Sequence, residues 1–183
     1  MKSEWKETLT HLAWPLVTLA VLMLVKKLRG LSWRDDFHLR WPALTDAAMW
    51  LAIFVALVVA EELASKALGL DPVVPWGNKY SRFMMVVRVF GMVVLAPLSE
   101  ELLFRGLLFK VLSDKIAHPA GAILITSVIF AAIHVQYKLS GMALVLVDAL
   151  FFGLVRYYTG STLLTILLHS LGNSYAAYQR ISG

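Results

Sequence analysis

The stretch L-A-I-F-V-A-L-V-V-A, Leu51 to Ala60, has no charge and no helix breaker, and it sits inside a longer apolar block. A bilayer core takes about 20 mostly apolar residues as one helix. Lipid offers no hydrogen bonds, so the backbone must satisfy itself within such a segment. Comparable blocks recur, and together they predict spans at about 9–25, 43–68, 82–112, 119–137, 142–158 and 161–180. The predicted fold is all-α: a polytopic membrane helix bundle of about six transmembrane helices, one integral membrane domain over 1–183. Span three is too long for one straight crossing, and Pro97 is expected to kink it. The segment Asp71 to Ser81, D-P-V-V-P-W-G-N-K-Y-S, reads as a loop from its Pro and Gly content.

Composition agrees. The chain is 59% hydrophobic and 16% charged, against about 45–50% and about 25% in soluble domains. The absence of cysteine removes disulfides, thiolate zinc sites and cysteine nucleophiles. The net charge of +5 carries no sign of nucleic-acid binding, because no basic block is interleaved with aromatics on a soluble face. It reads as a topology signal. Lys26, Lys27, Arg29, Arg34 and Arg40 follow span one, which puts that loop in the cytoplasm and the N-terminus outside. The first apolar run is long enough to remain as a span rather than be cleaved. A compact chain with little soluble sequence reads as a multi-pass protein of a prokaryotic cell membrane.

Charges within spans cost about 2.5–3.5 kcal/mol each on insertion scales, so each needs a reason. The deep candidates are Glu100, Glu101, Arg105, His134, Asp148 and His169, with neutral Asn173 beside them. In S-E-E-L-L-F-R-G, Ser99 to Gly106, the adjacent glutamates are about 100° apart on a helix. Glu101 and Arg105 are four apart and share a face. That pairing leaves Glu100 as the free carboxylate. In F-A-A-I-H, Phe130 and His134 share a face. In H-S-L-G-N, His169 and Asn173 do. A carboxylate, two imidazoles and an amide on three helices supply a general base, a proton partner and oxyanion donors if they converge. Read singly, each is equally a buried polar contact between helices. A-E-E-L-A-S-K, Ala60 to Lys66, imitates the motif but ends its helix, and reads as an interfacial face. Arg156, near a helix end, reads as a snorkelling side chain. Asp148 reads as a polar contact to a neighbouring span.

Taken in order, E-E-L-L-F-R, F-A-A-I-H and H-S-L-G-N match the patterns E-E-x-x-x-R, F-x-x-x-H and H-x-x-x-N. On successive membrane helices they resemble the CAAX-protease and bacteriocin-processing (Abi) family, related to the CAAX prenyl endopeptidase of eukaryotes. The resemblance runs from Arg88 to the C-terminus. It implies an intramembrane endopeptidase of the glutamate type. Glu100 and His134 would activate water, His169 and Asn173 would form the oxyanion hole, and Glu101 and Arg105 would support them. The implied chemistry is free of metal and cofactor, and the implied partner is a peptide or membrane-protein substrate. Three other readings stand beside it: a zinc protease using two His and one Glu, a non-enzymatic immunity or scaffold protein, and a proton-coupled transporter.

Overall fold

The computed structural model describes residues 2–70, 75–77, 79–116 and 118–182, with side chains from Glu4 onward. Six helices account for nearly all of it. They are α1 (Lys2–Arg29), α2 (Leu44–Leu68), α3 (Arg82–Ser113), α4 (Pro119–Ala132), α5 (Leu139–Thr159) and α6 (Thr162–Ser182). There is no strand among the described residues. The Asp71 to Ser81 loop lies partly outside them, at 71–74 and 78.

Helix ends follow local chemistry. Gly69 and Gly160 take left-handed φ values of 59° and 63° and close α2 and α5, a conformation that only glycine adopts without strain. The Ser81 hydroxyl caps α3 by accepting from Met84 N at 3.4 Å. Pro119 opens α4 from its first turn, where a missing N–H costs nothing.

Four helices are long and apolar enough to cross a membrane: α1 from Glu4, α2, α3 and α5. Outward-facing side chains such as Phe83, Val86, Leu63 and Leu124 are more than half exposed. That surface would be a liability in water, and lipid is its solvent. The chain is a membrane protein. Helix α4 spans only 14 residues, about 21 Å at 1.5 Å per residue. The helix expected to reach Tyr137 stops at Ala132, and His134 stands in the turn beyond it. The expected ends of the other helices shift by a few residues, most in α1, which extends to Arg29.

Helix α3 does more than kink. It winds into a π-turn at Gly91–Leu95, just before Pro97, and into another at Leu102–Leu108. Proline removes one N–H from the ladder, and a wider turn lets neighbouring donors reach past the gap. Ala96 N donates back to Gly91 O across five residues. In the second turn, Phe109 N donates to Phe104 O and Gly106 O and passes over Arg105 O.

Helix α6 packs along the middle of α3, α4 packs against α5, and α1 lies along α3. Trp50, Phe54, Phe151, Phe152, Val155, Leu164 and Leu168 form one core cluster joining α2, α5 and α6. The α4–α5 contact is made close by small residues, as membrane interfaces favour. A Cβ on Gly153 would sit 2.8 Å from Ile123 Cγ2, a branch atom that cannot swing away. Gly153→Ala is therefore expected to lower stability by about 1–3 kcal/mol, read as a drop in the thermal unfolding midpoint in detergent.

The segment between α1 and α2 folds under one end of the bundle. Phe37 is fully buried against Leu22, Leu102 and Ile166, and its ring comes within 3.1 Å of where a Gly106 Cβ would stand. His38 holds φ at 53°, and its carbonyl accepts from Thr162 N at 3.0 Å. Ser161 Oγ donates to Arg40 O at 2.6 Å. The same bundle end thus gathers the 30–43 segment, the α3–α4 turn and the α5–α6 turn.

Candidate active site

Measured from that end, at 1.5 Å per residue, Glu100 lies about 20 Å in along α3, His134 about 22 Å along α4 and His169 about 11 Å along α6. His134, two residues past the end of α4, therefore stands at a depth close to that of Glu100.

Glu101 and Arg105 form the pair that their spacing predicts, with Arg105 Nη1 donating to Glu101 Oε1 at 3.1 Å. Both side chains are fully buried. Arg105 Nη2 donates to the Ala149 carbonyl of α5 at 2.8 Å. Its guanidinium lies 4.7 Å from the Phe130 ring centre and 5.6 Å from that of Phe152. The arginine ties α3 to α5 and sits between two aromatic faces. The Phe104 and Phe130 rings meet edge to face, 5.1 Å apart, and close one side of this nest.

His169 bridges both glutamates. Its Nδ1 is 3.0 Å from Glu101 Oε1, and its Nε2 is 3.8 Å from Glu100 Oε2. Adjacent helical residues cannot point at one spot, but one imidazole offers two nitrogens on different edges, and each glutamate takes one. A carboxylate only accepts, so Nδ1 carries the proton shared with Glu101, and Nε2 is the edge turned to Glu100. The Phe152 ring stacks on the imidazole at 5.2 Å and fixes its plane. Glu100 and His169 retain 13% and 12% side-chain exposure, so the gap between them is narrow but reachable.

His134 Nδ1 is 2.7 Å from the Phe130 carbonyl. A carbonyl also only accepts, so Nδ1 carries the hydrogen and Nε2 keeps the lone pair. The two imidazoles share a neighbour: Phe130 lies 4.6 Å from the His134 ring and 6.1 Å from the His169 ring.

Asn173 Nδ2 donates to Met92 O at 2.8 Å, inside the first π-turn of α3. The wider turn presents a carbonyl sideways, and the amide of α6 meets it. Asn173 therefore anchors α6 to α3 one turn beyond His169.

Four other charged residues divide between the interface and the interior. Lys66 pairs with Glu62 at 3.0 Å near the end of α2, as an interfacial face would, and Gln179 Nε2 donates to Glu62 at 3.3 Å. Glu61 differs, with Oε1 buried and unpartnered among the described residues. Arg156 does not snorkel. It is 5% exposed, and its Nε donates to Arg105 O at 2.9 Å. The reason is the second π-turn: Phe109 N skips that carbonyl, and a guanidinium from α5 replaces the missing donor. Among the described residues, no three His, Asp or Glu are grouped closely enough to hold a metal ion.

Against known proteins, the family model described as "Type II CAAX prenyl endopeptidase Rce1-like" matches residues 82–175, just over half of the chain. An uncharacterised 24.3 kDa protein of Escherichia coli is 36% identical over 128 residues, covering 66% of this chain. This chain spans 58% of that relative's length. No solved structure matches. The matched segment begins with α3 and ends in α6, and it contains Glu100, Glu101, Arg105, His134, Asp148, His169 and Asn173.

Proposed function

Because the chain belongs to the type II CAAX prenyl endopeptidase Rce1-like family, we propose that it is an intramembrane endopeptidase that hydrolyses a peptide or membrane-protein substrate. The observation that carries the reading is the bridging imidazole: His169 stands 3.0 Å from one glutamate and 3.8 Å from the other, where α6 meets α3, with both it and Glu100 nearly buried.

Glu100 is the general base. It has no hydrogen bond to another side chain among the described residues, and its oxygen faces an imidazole edge across a loose gap. A water entering that gap can give its proton to Glu100 as it attacks the scissile carbonyl. His134, with Nδ1 committed to the Phe130 carbonyl, offers Nε2 to hold that water or to pass its proton on. As negative charge develops on the carbonyl oxygen, the donors on α6 are the Asn173 amide and the Nε2–H of a doubly protonated His169, whose imidazolium charge the Glu101 carboxylate balances at Nδ1. The amide first leaves Met92 O, or uses its second hydrogen. Glu101 and Arg105 fix the ring of His169 and do not touch substrate. In this reading the reaction runs on side chains alone. The site lies within a multi-pass protein of a prokaryotic cell membrane.

The test compares membrane-associated and released peptides from cells carrying the wild-type chain and His134→Ala. Fragments present only with the wild type, still generated by purified protein in excess chelator, are the expected result. Identical peptide sets, with both proteins equally abundant in the membrane, favour a binding or immunity role. Loss of cleavage in chelator that added zinc restores favours metal chemistry.

A further inference from the structure

A cavity of about 260 Å³ opens at the bundle end beneath the 30–43 segment, bordered by His38, Phe109, Lys110, Asp114, Pro119 and Arg156. It joins the end of α3, the start of α4 and the end of α5. It does not border Glu100, His134 or His169.

Its charges are unevenly paired. Lys110 Nζ is 2.9 Å from Asp114 and 3.9 Å from Asp36, so it is neutralised locally. Arg40, nearby, pairs with Asp35 at 2.9 Å. Arg156 has no carboxylate partner among the described residues. Its Nε is committed to Arg105 O, and its plane lies 5.2 Å from the Phe109 ring centre, while its terminal nitrogens make no hydrogen bond. Arg156 is 5% exposed as a residue, and what remains accessible of its guanidinium opens onto this cavity without a counter-ion. One neutral donor already takes care of a backbone carbonyl, so the carbonyl alone does not explain a full charge here. His38 adds to the picture from outside the spans. Burial, then the neighbouring Arg156, push its imidazole below the ordinary value, so it enters the cavity wall uncharged. Its backbone holds a φ of 53°, a strained conformation fixed by the Thr162 and Ser161 contacts of the same segment.

We propose that this cavity is an anion site, separate from the catalytic pocket, in which Arg156 and Lys110 hold a phosphate oxyanion. A phosphate fits the unpaired fork of Arg156 in two-pronged fashion. Lys110 reaches it by turning from Asp114, a partly exposed pair that is weak to begin with. The position at a bundle end, level with the helix termini, suits either a lipid headgroup or free phosphate. Occupancy fixes Arg156, and through Arg156 it fixes the Arg105 carbonyl and the π-turn that begins one residue after Glu101. This reading does not depend on the chain being a peptidase.

The experiment uses the purified full chain in phosphatidylcholine nanodiscs and follows its thermal unfolding midpoint. One arm titrates inorganic phosphate, and the other replaces part of the lipid with phosphatidylglycerol. A saturable rise in one arm is expected, and which arm responds identifies the source. Arg156→Lys keeps the charge and a donor for Arg105 O but loses the fork, and is expected to weaken the response about tenfold. Lys110→Gln, at a partly exposed position, is expected to weaken it without lowering the unliganded midpoint. No saturable rise in either arm overturns the proposal. So does a rise of equal size and affinity in wild type, Arg156→Lys and Lys110→Gln, which would mark general surface charge. A rise with a peptide carboxylate but with neither phosphate source overturns it as well.

Discussion

Glu100→Gln is expected to lower peptide cleavage by about two to four orders of magnitude, the range that general acid–base groups contribute, with the folded protein unchanged in amount. The two halves of that expectation have separate physical grounds. Glutamine matches glutamate in shape but takes no proton at neutral pH, so water in the gap beside His169 loses its base. Stability is spared because Glu100 holds nothing together: its nearest charged contact is His169 at 3.8 Å, beyond hydrogen-bond length. Glu101→Gln makes the contrast. That residue accepts from both Arg105 and His169 at full burial, so its loss should show first as reduced folded protein. Purified variants assayed on the same peptide, with thermal midpoints recorded alongside, separate the cases. Full activity in Glu100→Gln would remove the proposed chemistry.

The glutamates also mark how far sequence alone reaches. Apolar block length was enough to find the helices, because lipid leaves the backbone no other hydrogen-bonded form. Four-residue spacing was enough to pair Glu101 with Arg105, because both lie on one helix and the contact is local. What escaped was set by partners distant in sequence. Arg156 looks like any cation near a helix end until the π-turn 50 residues earlier frees a carbonyl for it. Nothing in L-L-F-R-G-L-L announces a π-turn, because its surroundings come from distant sequence, with Phe37 packed against Leu102 and Gly106. The Asn173 amide meets Met92 O for the same reason. The end of α4 was hidden because the turn after Ala132 carries no Gly or Pro to signal it. The double contact of His169 was hidden by treating a side chain as a point, when an imidazole has two edges.

Arg105→Met is expected to be the most destabilising single change in the bundle, by about 3–5 kcal/mol, because it strands a buried carboxylate. The arginine is fully buried and serves four neighbours: Glu101, the Ala149 carbonyl, and the faces of Phe130 and Phe152. Methionine fills much of the volume and keeps contact with the rings, but it supplies no donor. Glu101 then retains His169 and the Thr165 hydroxyl as neighbours but no full counter-charge from α3, and the Ala149 carbonyl is left bare. Arg105→Lys keeps the charge, yet a single ammonium cannot reach Glu101 and Ala149 O in the two directions that the planar fork covers. It should recover only part of the loss. The double variant Glu101→Leu, Arg105→Met removes the stranded charge, and so should be more stable than Arg105→Met alone, though without activity because His169 loses its anchor. Yield of folded protein and thermal midpoints in detergent read all three. If Arg105→Met unfolds at the wild-type temperature, the buried pair is not what joins α3 to α5. If the double variant is worse than the single one, uncompensated charge is not the source of the damage.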